Sequence, residues 1–297
     1  MEKHMETEIA AINQQSFKDK IKSYTKHPGS FLLLLLVLVA AVLTVGVLVF
    51  LVGYILIRGI PYLKPSLFAW TYNSDNVSML PAMINTLFMT VLALVLSAPF
   101  GVGAAIYLVE YAKKGNKLVG IIRVTAETLS GIPSIIYGLF GMLFFVTALK
   151  WGYSMMAGAA TLAIMVLPVI MRTTEEALLC VPDSFREGSF GLGAGKLRTI
   201  FKIVLPSAIP GILSGIILAI GRIVGETAAL IYTSGTVANL AGFFDSGRTL
   251  AIHMYSLSRE GMHTNEAYAT AVVLLIVVLI INGVSSLIAK KFEAPKQ

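Results

Sequence analysis

Charged residues are scarce in this sequence. Asp, Glu, Lys and Arg make up 13% of the 297 residues, about half of what covers a water-facing surface. With 56% apolar residues and a mean hydropathy of +0.81, this excludes a soluble globular protein. A disordered chain is excluded too, because disorder needs high charge and low hydrophobicity. One cysteine, Cys180, cannot form an intramolecular disulfide and reads as a structural thiol. The four histidines, His4, His27, His253 and His263, lack metal-ligand spacing, and no nucleophile–base or paired-carboxylate arrangement stands out. A phosphate-cradling loop is also missing. In Gly191-Leu-Gly-Ala-Gly-Lys196, Phe190 replaces the first glycine and Leu197 stands where Ser or Thr should hold magnesium. Gly101-Val-Gly103 lacks both the third glycine of a dinucleotide fingerprint and a preceding strand.

What the sequence does have is long apolar runs. A bilayer crossing needs about 20 residues. Candidate spans are Phe31 to Ile57, Asn85 to Val109, Ser130 to Leu149, Ser154 to Met171, Ser207 to Thr233 and Ala267 to Ala289. No small-residue cleavage site follows the first run, so it reads as a retained helix and not as a signal peptide. The expected order is a tail (1–30), a first helix (31–57), a loop (58–84), a five-helix core (85–289) and a short tail (290–297). Within the core, residues 172–206 form one long loop. Six spans put both termini on one side. Seventeen of the 23 Lys and Arg residues fall in the two tails and the loops on that side, and five (Arg58, Lys64, Lys150, Arg248 and Arg259) fall on the other. Basic residues in short loops stay cytoplasmic, so the +7 balance orients the bundle and need not signal nucleic acid. Lys18, Lys20, Lys22 and Lys26 in the first tail suit either solvent or an anionic lipid or partner.

The remaining basic residue, Arg222, lies inside the fifth span. At about 100° per residue, Gly211, Gly215, Leu218, Arg222, Gly225, Glu226, Ala229 and Thr233 share one helical face. Small residues there admit a neighbouring backbone, and a buried charge must face protein or water. Gly211, Gly215 and Gly225 are thus expected to pack helices, while Arg222, Glu226 and Thr233 line a pathway. Arg222 and Glu226 either neutralise each other one turn apart or form a site in which the arginine meets a passing oxyanion. Pro99 with Gly101 and Gly103, and Gly131 with Pro133, mark expected breaks or hinges.

In the long loop, Glu187-Gly188-Ser189, Gly193, Ile203 and Leu205-Pro206 are spaced like the coupling loop of binding-protein-dependent ABC importer permeases, with Gly-Ser in place of two alanines. Asp183 and Ser184 are candidate caps for its first helix, and Gly193 for its turn. Ser130-Gly-Ile-Pro-Ser-Ile-Ile-Tyr-Gly-Leu-Phe-Gly141, Leu213-Ser-Gly-Ile-Ile-Leu-Ala-Ile-Gly-Arg-Ile-Val-Gly-Glu-Thr227 and His253-Met-Tyr-Ser-Leu-Ser258 narrow the likeness: from about Asn85 onward, the chain resembles the PstA-type permease subunit of phosphate ABC importers. The resemblance implies an all-α integral membrane protein of six transmembrane helices with the type I ABC importer permease (MetI-like) fold and a cytoplasmic coupling helix. It also implies inward translocation of inorganic phosphate, a homologous PstC-type permease subunit, two ATPase subunits and an extracytoplasmic phosphate-binding protein. ATP and magnesium would be bound by the partner ATPase, with no cofactor in this chain. Arg222 and Glu226 would serve transport. Open alternatives are a permease for molybdate, sulfate or an amino acid, an ion-coupled secondary transporter and a non-transporting signalling subunit.

Overall fold

A computed structural model describes residues 28–113 and 115–292. The lysine-rich first tail and most of the last lie outside the described residues. Among those described there is no strand. Two units of internal contact divide at Tyr54 and Ile55. The first is most of α1 (Pro28–Gly59), whose apolar side chains are exposed on every side. A helix that is apolar all round needs protein or lipid about it.

The second unit holds α2 (Leu80–Ile106), α3 (Lys117–Ser130), α4 (Ser134–Gly141), α5 (Met155–Leu179), α6 (Asp183–Gly191), α7 (Lys196–Thr199), α8 (Leu205–Val224), α9 (Ala228–Ile231), α10 (Leu250–Glu260) and α11 (Thr264–Phe292). Wider helical turns extend α2 to Tyr111, extend α4 to Ala148 and join α7 to α8. Asn116 caps α3 by accepting the Leu118 N–H at 3.0 Å, and Ser154 caps α5 through the Ala157 N–H at 3.2 Å.

α5 is the central helix, with α2 and α8 packed on it and α8 in turn meeting α11. Met89, Met165, Val166, Ile170, Ala219 and Ile223 form the middle of the core. A Cβ on Gly101 would stand 2.8 Å from Ile170 Cγ2, so that glycine lets α2 approach α5 closely. Separate clusters close the two ends: Leu108, Met171, Leu178 and Val204 beside α6, and Leu67, Met79, Leu250 and Leu257 at the other.

Among the described residues, five helical runs are long and apolar enough to cross a bilayer, namely Gly29–Tyr62, Leu80–Tyr111, Met155–Leu179, Lys196–Val224 and Thr264–Ala289. The expected third span, Ser130 to Leu149, is different. Lys117–Ser130 and Ser134–Ala148 meet at a 100° bend, where Gly131 and Pro133 interrupt the chain as the sequence suggested. The second piece falls short of a bilayer thickness, so the pair is a broken span or a re-entrant loop. Pro99, by contrast, sits inside an uninterrupted α2. The fifth span also shifts: helix runs from Lys196 to Val224 and stops before Glu226. The long loop contracts accordingly, because 172–179 continue α5 and 196–206 belong to the next helical run. Cys180, read as a structural thiol, caps α5 and is exposed.

Candidate functional site

Arg222 stands in the last turn of α8, half-buried. It lines a cavity of about 480 Å³ with Val169 of α5, Ile217, Leu218 and Gly221 of its own helix, and Asn282 of α11. Among the described residues its guanidinium has no ion pair or hydrogen bond, although its field reaches the Tyr137 hydroxyl, which donates to Leu129 O at 2.7 Å. Glu226 is engaged elsewhere. α8 ends at Val224 with Gly225 as its cap, and Glu226 Oε1 accepts the Ala229 N–H at 3.1 Å at the start of α9. The one-turn spacing of Arg222 and Glu226 therefore brings no bond between them, because the helix that defines the spacing has already stopped.

Thr233 does not share the opening either. It is fully buried, donates to Ala229 O at 2.9 Å and packs where a Gly141 side chain would stand. Gly211 and Gly215 lie where α8 meets α5, and a Cβ on them would strike Ala177 and Thr173 respectively. Gly225 has no such neighbour within 3.4 Å and serves to end the helix.

The Arg222 cavity shares Val169 and Leu218 with a second cavity of about 570 Å³, toward the α6 end. Its charges are mutually satisfied. Arg123 meets Glu175 at 2.5 Å, and Arg172 meets Glu176 at 3.2 Å and Glu127 at 3.8 Å. The Arg172 pairs are solvent-exposed and contribute about 0–1 kcal/mol each.

At that end, α6 carries Glu187 and Gly188 on its exposed side, and a Cβ on Gly188 would meet nothing within 4 Å among the described residues. Ser189 faces inward, 2.8 Å from the Thr199 hydroxyl. The turn after α6 is closed by two reversed hydrogen bonds, Gly193 N–H to Phe190 O at 2.9 Å and Ala194 N–H to Ser189 O at 3.1 Å, with Gly193 at φ +81°. This left-handed helix stop needs glycine at Gly193. Asp183 and Ser184 do not cap α6 with their side chains; Pro182 occupies that position. Ile203 and Leu205 are half-buried, and Pro206 is exposed within the first turn of α8.

Sequence reasoning missed what ties α6 to the core. Arg186 uses all five guanidinium hydrogens: Nε and Nη2 on Glu110 Oε1 at 3.0 and 2.8 Å, Nη2 also on Leu178 O at 3.0 Å, and Nη1 on Val181 O and Asp183 Oδ1 at 2.7 and 3.1 Å. Its signal was weak: an arginine beside the motif and a glutamate at the end of a span, 76 residues apart. Asn282 was also missed, although a polar amide within an apolar run was the available clue.

A helical membrane bundle with an exposed two-helix projection at one end and an unpaired arginine in its interior is the architecture of a transporter permease. Residues 97–294 match the family described as binding-protein-dependent transport system inner membrane component. The chain belongs to that family, and its fold is the type I ABC importer permease (MetI-like) fold. One relative is the probable ABC transporter permease protein YqgI of Bacillus subtilis (strain 168), 34% identical over 278 residues, covering 86% of this chain and 94% of that one. Another is the phosphate transport system permease protein PstA 1 of Mycobacterium tuberculosis (strain CDC 1551 / Oshkosh), 37% identical over 211 residues, covering 70% and 69%. Among solved structures, a chain of a bacterial alginate ABC transporter, crystallised with an alginate pentasaccharide-bound periplasmic protein, superimposes with a TM-score of 0.67 at 14% identity, covering 90% and 97%.

Proposed function

We propose that this permease subunit carries inorganic phosphate inward across the cytoplasmic membrane, with both termini and α6 on the cytoplasmic side. The observation that carries the reading is the unpartnered Arg222 guanidinium in its cavity beside Asn282. An ionised side chain at bilayer depth costs about 2.5–3.5 kcal/mol on insertion scales, so a lone one needs a use. A planar fork of donors that stays charged at every relevant pH suits a tetrahedral oxyanion. The similarity to a permease named for phosphate transport selects phosphate among the oxyanions.

ATP and magnesium belong to two ATPase subunits that receive α6 and the Gly193 turn. A homologous PstC-type subunit completes the path, and an extracytoplasmic phosphate-binding protein delivers the substrate. Movement of α6 on ATP binding would shift the bundle between two arrangements, exposing Arg222 to one side and then the other. Glu226 holds the start of α9 and need not neutralise Arg222.

The test is uptake by the reconstituted complex. Arg222→Gln should lower phosphate uptake by about a hundredfold or more, the scale of removing one member of a desolvated charge pair, with the complex still assembled. Wild-type-like uptake by that variant overturns the role of Arg222. Uptake of sulfate or molybdate in preference to phosphate overturns the substrate.

A further inference from the structure

The segment from Gly221 to Ala228 lines two cavities. Gly221 and Arg222 line the one described above. Thr227 and Ala228 line another of about 640 Å³ at the end opposite α6, between α9, α10 and α11. The latter is walled by apolar side chains such as Ile135, Ile231 and Met254, but polar groups project among them: Thr227, Tyr232, Tyr255, Ser258, Arg259 and Thr264.

We infer that this cavity is a second oxyanion station, in which Arg259 and the surrounding hydroxyls receive a phosphate group before it passes the Thr227 segment to Arg222.

Three observations support it. First, Arg259 is the single ionisable cation of the cavity and no carboxylate lines it. In the cavity near α6, both arginines are matched by glutamates. This cavity thus presents one unmatched positive charge, and the cavity near α6 presents none. Second, the cavity's hydroxyl side chains other than Tyr268 are uncommitted. Elsewhere in these helices Thr86, Thr90, Thr161, Thr233 and Thr270 each donate to the carbonyl four residues earlier. The side chains of Thr227, Tyr232, Tyr255, Ser258 and Thr264 have no hydrogen-bond partner among the described residues. Third, a guanidinium and neutral donors against apolar walls suit temporary binding. The donors match tetrahedral oxygens, and a single charge, open to solvent at Arg259, lets the anion leave.

The station rests on the phosphate reading above. The headgroup of an anionic lipid offers the same phosphate chemistry, so the experiment separates the two sources. Ser258→Cys is introduced into a Cys180→Ser background, which leaves one thiol in this chain. The whole complex is reconstituted in phosphatidylcholine nanodiscs, with or without phosphatidylglycerol, and treated with a negatively charged methanethiosulfonate reagent. Labelling of this subunit is followed over time. Inorganic phosphate is expected to slow it about tenfold, the worth of one charge-assisted contact, while the same concentration of chloride leaves it unchanged. Adding Arg259→Gln should abolish the protection and Arg259→Lys should retain part of it. The station is overturned by labelling that ignores phosphate, by equal protection from chloride, or by protection that needs phosphatidylglycerol and no added phosphate. Loss of uptake in Arg222→Gln with no protection at Ser258 sinks the station and leaves the transport reading intact. Protection together with uptake indifferent to Arg222 supports the station and sinks the role of Arg222.

Discussion

His253 shows what burial does to a side chain the sequence presents as one of four scattered histidines. It is wholly buried on α10, and neither ring nitrogen has a hydrogen-bond partner of normal geometry among the described residues. Burial, and then the Arg248 guanidinium, push its pKa down to about 3, and the nearby Val77 backbone offsets little of this. Arg248 is itself buried, stacked on the Tyr72 ring at 4.5 Å, with Nε and Nη2 unpartnered. The folded protein therefore keeps His253 neutral where the unfolded chain, with an ordinary pKa of about 6.5, takes a proton. Stability from this group is full above about pH 6.5. Below that it falls by about 1.4 kcal/mol per pH unit until it levels off near pH 3. Thermal unfolding of the detergent-solubilised protein should thus be less acid-sensitive in His253→Gln or His253→Phe than in wild type between pH 6.5 and 5. Parallel pH slopes for all three would show that the imidazole is protonated in the fold.

Between elements, Arg186 is the joint. Through it α6 grips the widened end of α2 at Glu110, the Leu178 carbonyl of α5 and the Val181 carbonyl just beyond it, so a displacement of α6 reaches both core helices without slack. Side chains of both partners are largely buried, at 14% and 9% exposure, and removing one member of such a pair costs about 3–5 kcal/mol. Lysine keeps the charge but not the planar fork. Arg186→Lys should leave the ATPase subunits bound and hydrolysing while phosphate moved per ATP falls severalfold; unchanged stoichiometry would mean that the clamp does not transmit motion. A double-mutant cycle with Glu110→Gln should return a coupling of about 0.5–3 kcal/mol. The contact of α5 with α8 is as strict. Gly215→Ala places a Cβ on the Thr173 hydroxyl and should cost about 1–3 kcal/mol by overpacking, in part recovered by adding Thr173→Ala. Helical periodicity made this seam legible, because Gly211 and Gly215 repeat every four residues. The Arg186 joint was not legible, because no local pattern connects residues 76 apart.

For the whole molecule, the lengths of the apolar runs made a multi-span helical bundle legible in the sequence. They failed where a local conformation overrode composition. Gly131 and Pro133 turn an apparent third span through 100°, and Gly225 ends α8 before Glu226 can join the face of Arg222. The turn after α6 was readable from spacing because it requires glycine at a fixed offset, while the inward face of α6, Ser189 against Thr199, needed the fold. What the bundle leaves uncovered also follows from the fold. Phe185, Phe190, Leu192, Leu197 and Phe201 are exposed at the α6 end, Leu192 at 91%. Clustered exposed apolar side chains mark a contact surface, and burying one leucine fully is worth about 1.5–3 kcal/mol. Leu192 supports little within this chain, so Leu192→Asp should change the stability of the isolated subunit by no more than about 0.5 kcal/mol. Retention of the ATPase on the purified permease should drop about tenfold or more, since the aspartate must also be desolvated at the contact. Full retention in pull-down, with an unchanged melting temperature, would place the docking surface away from the Gly193 turn.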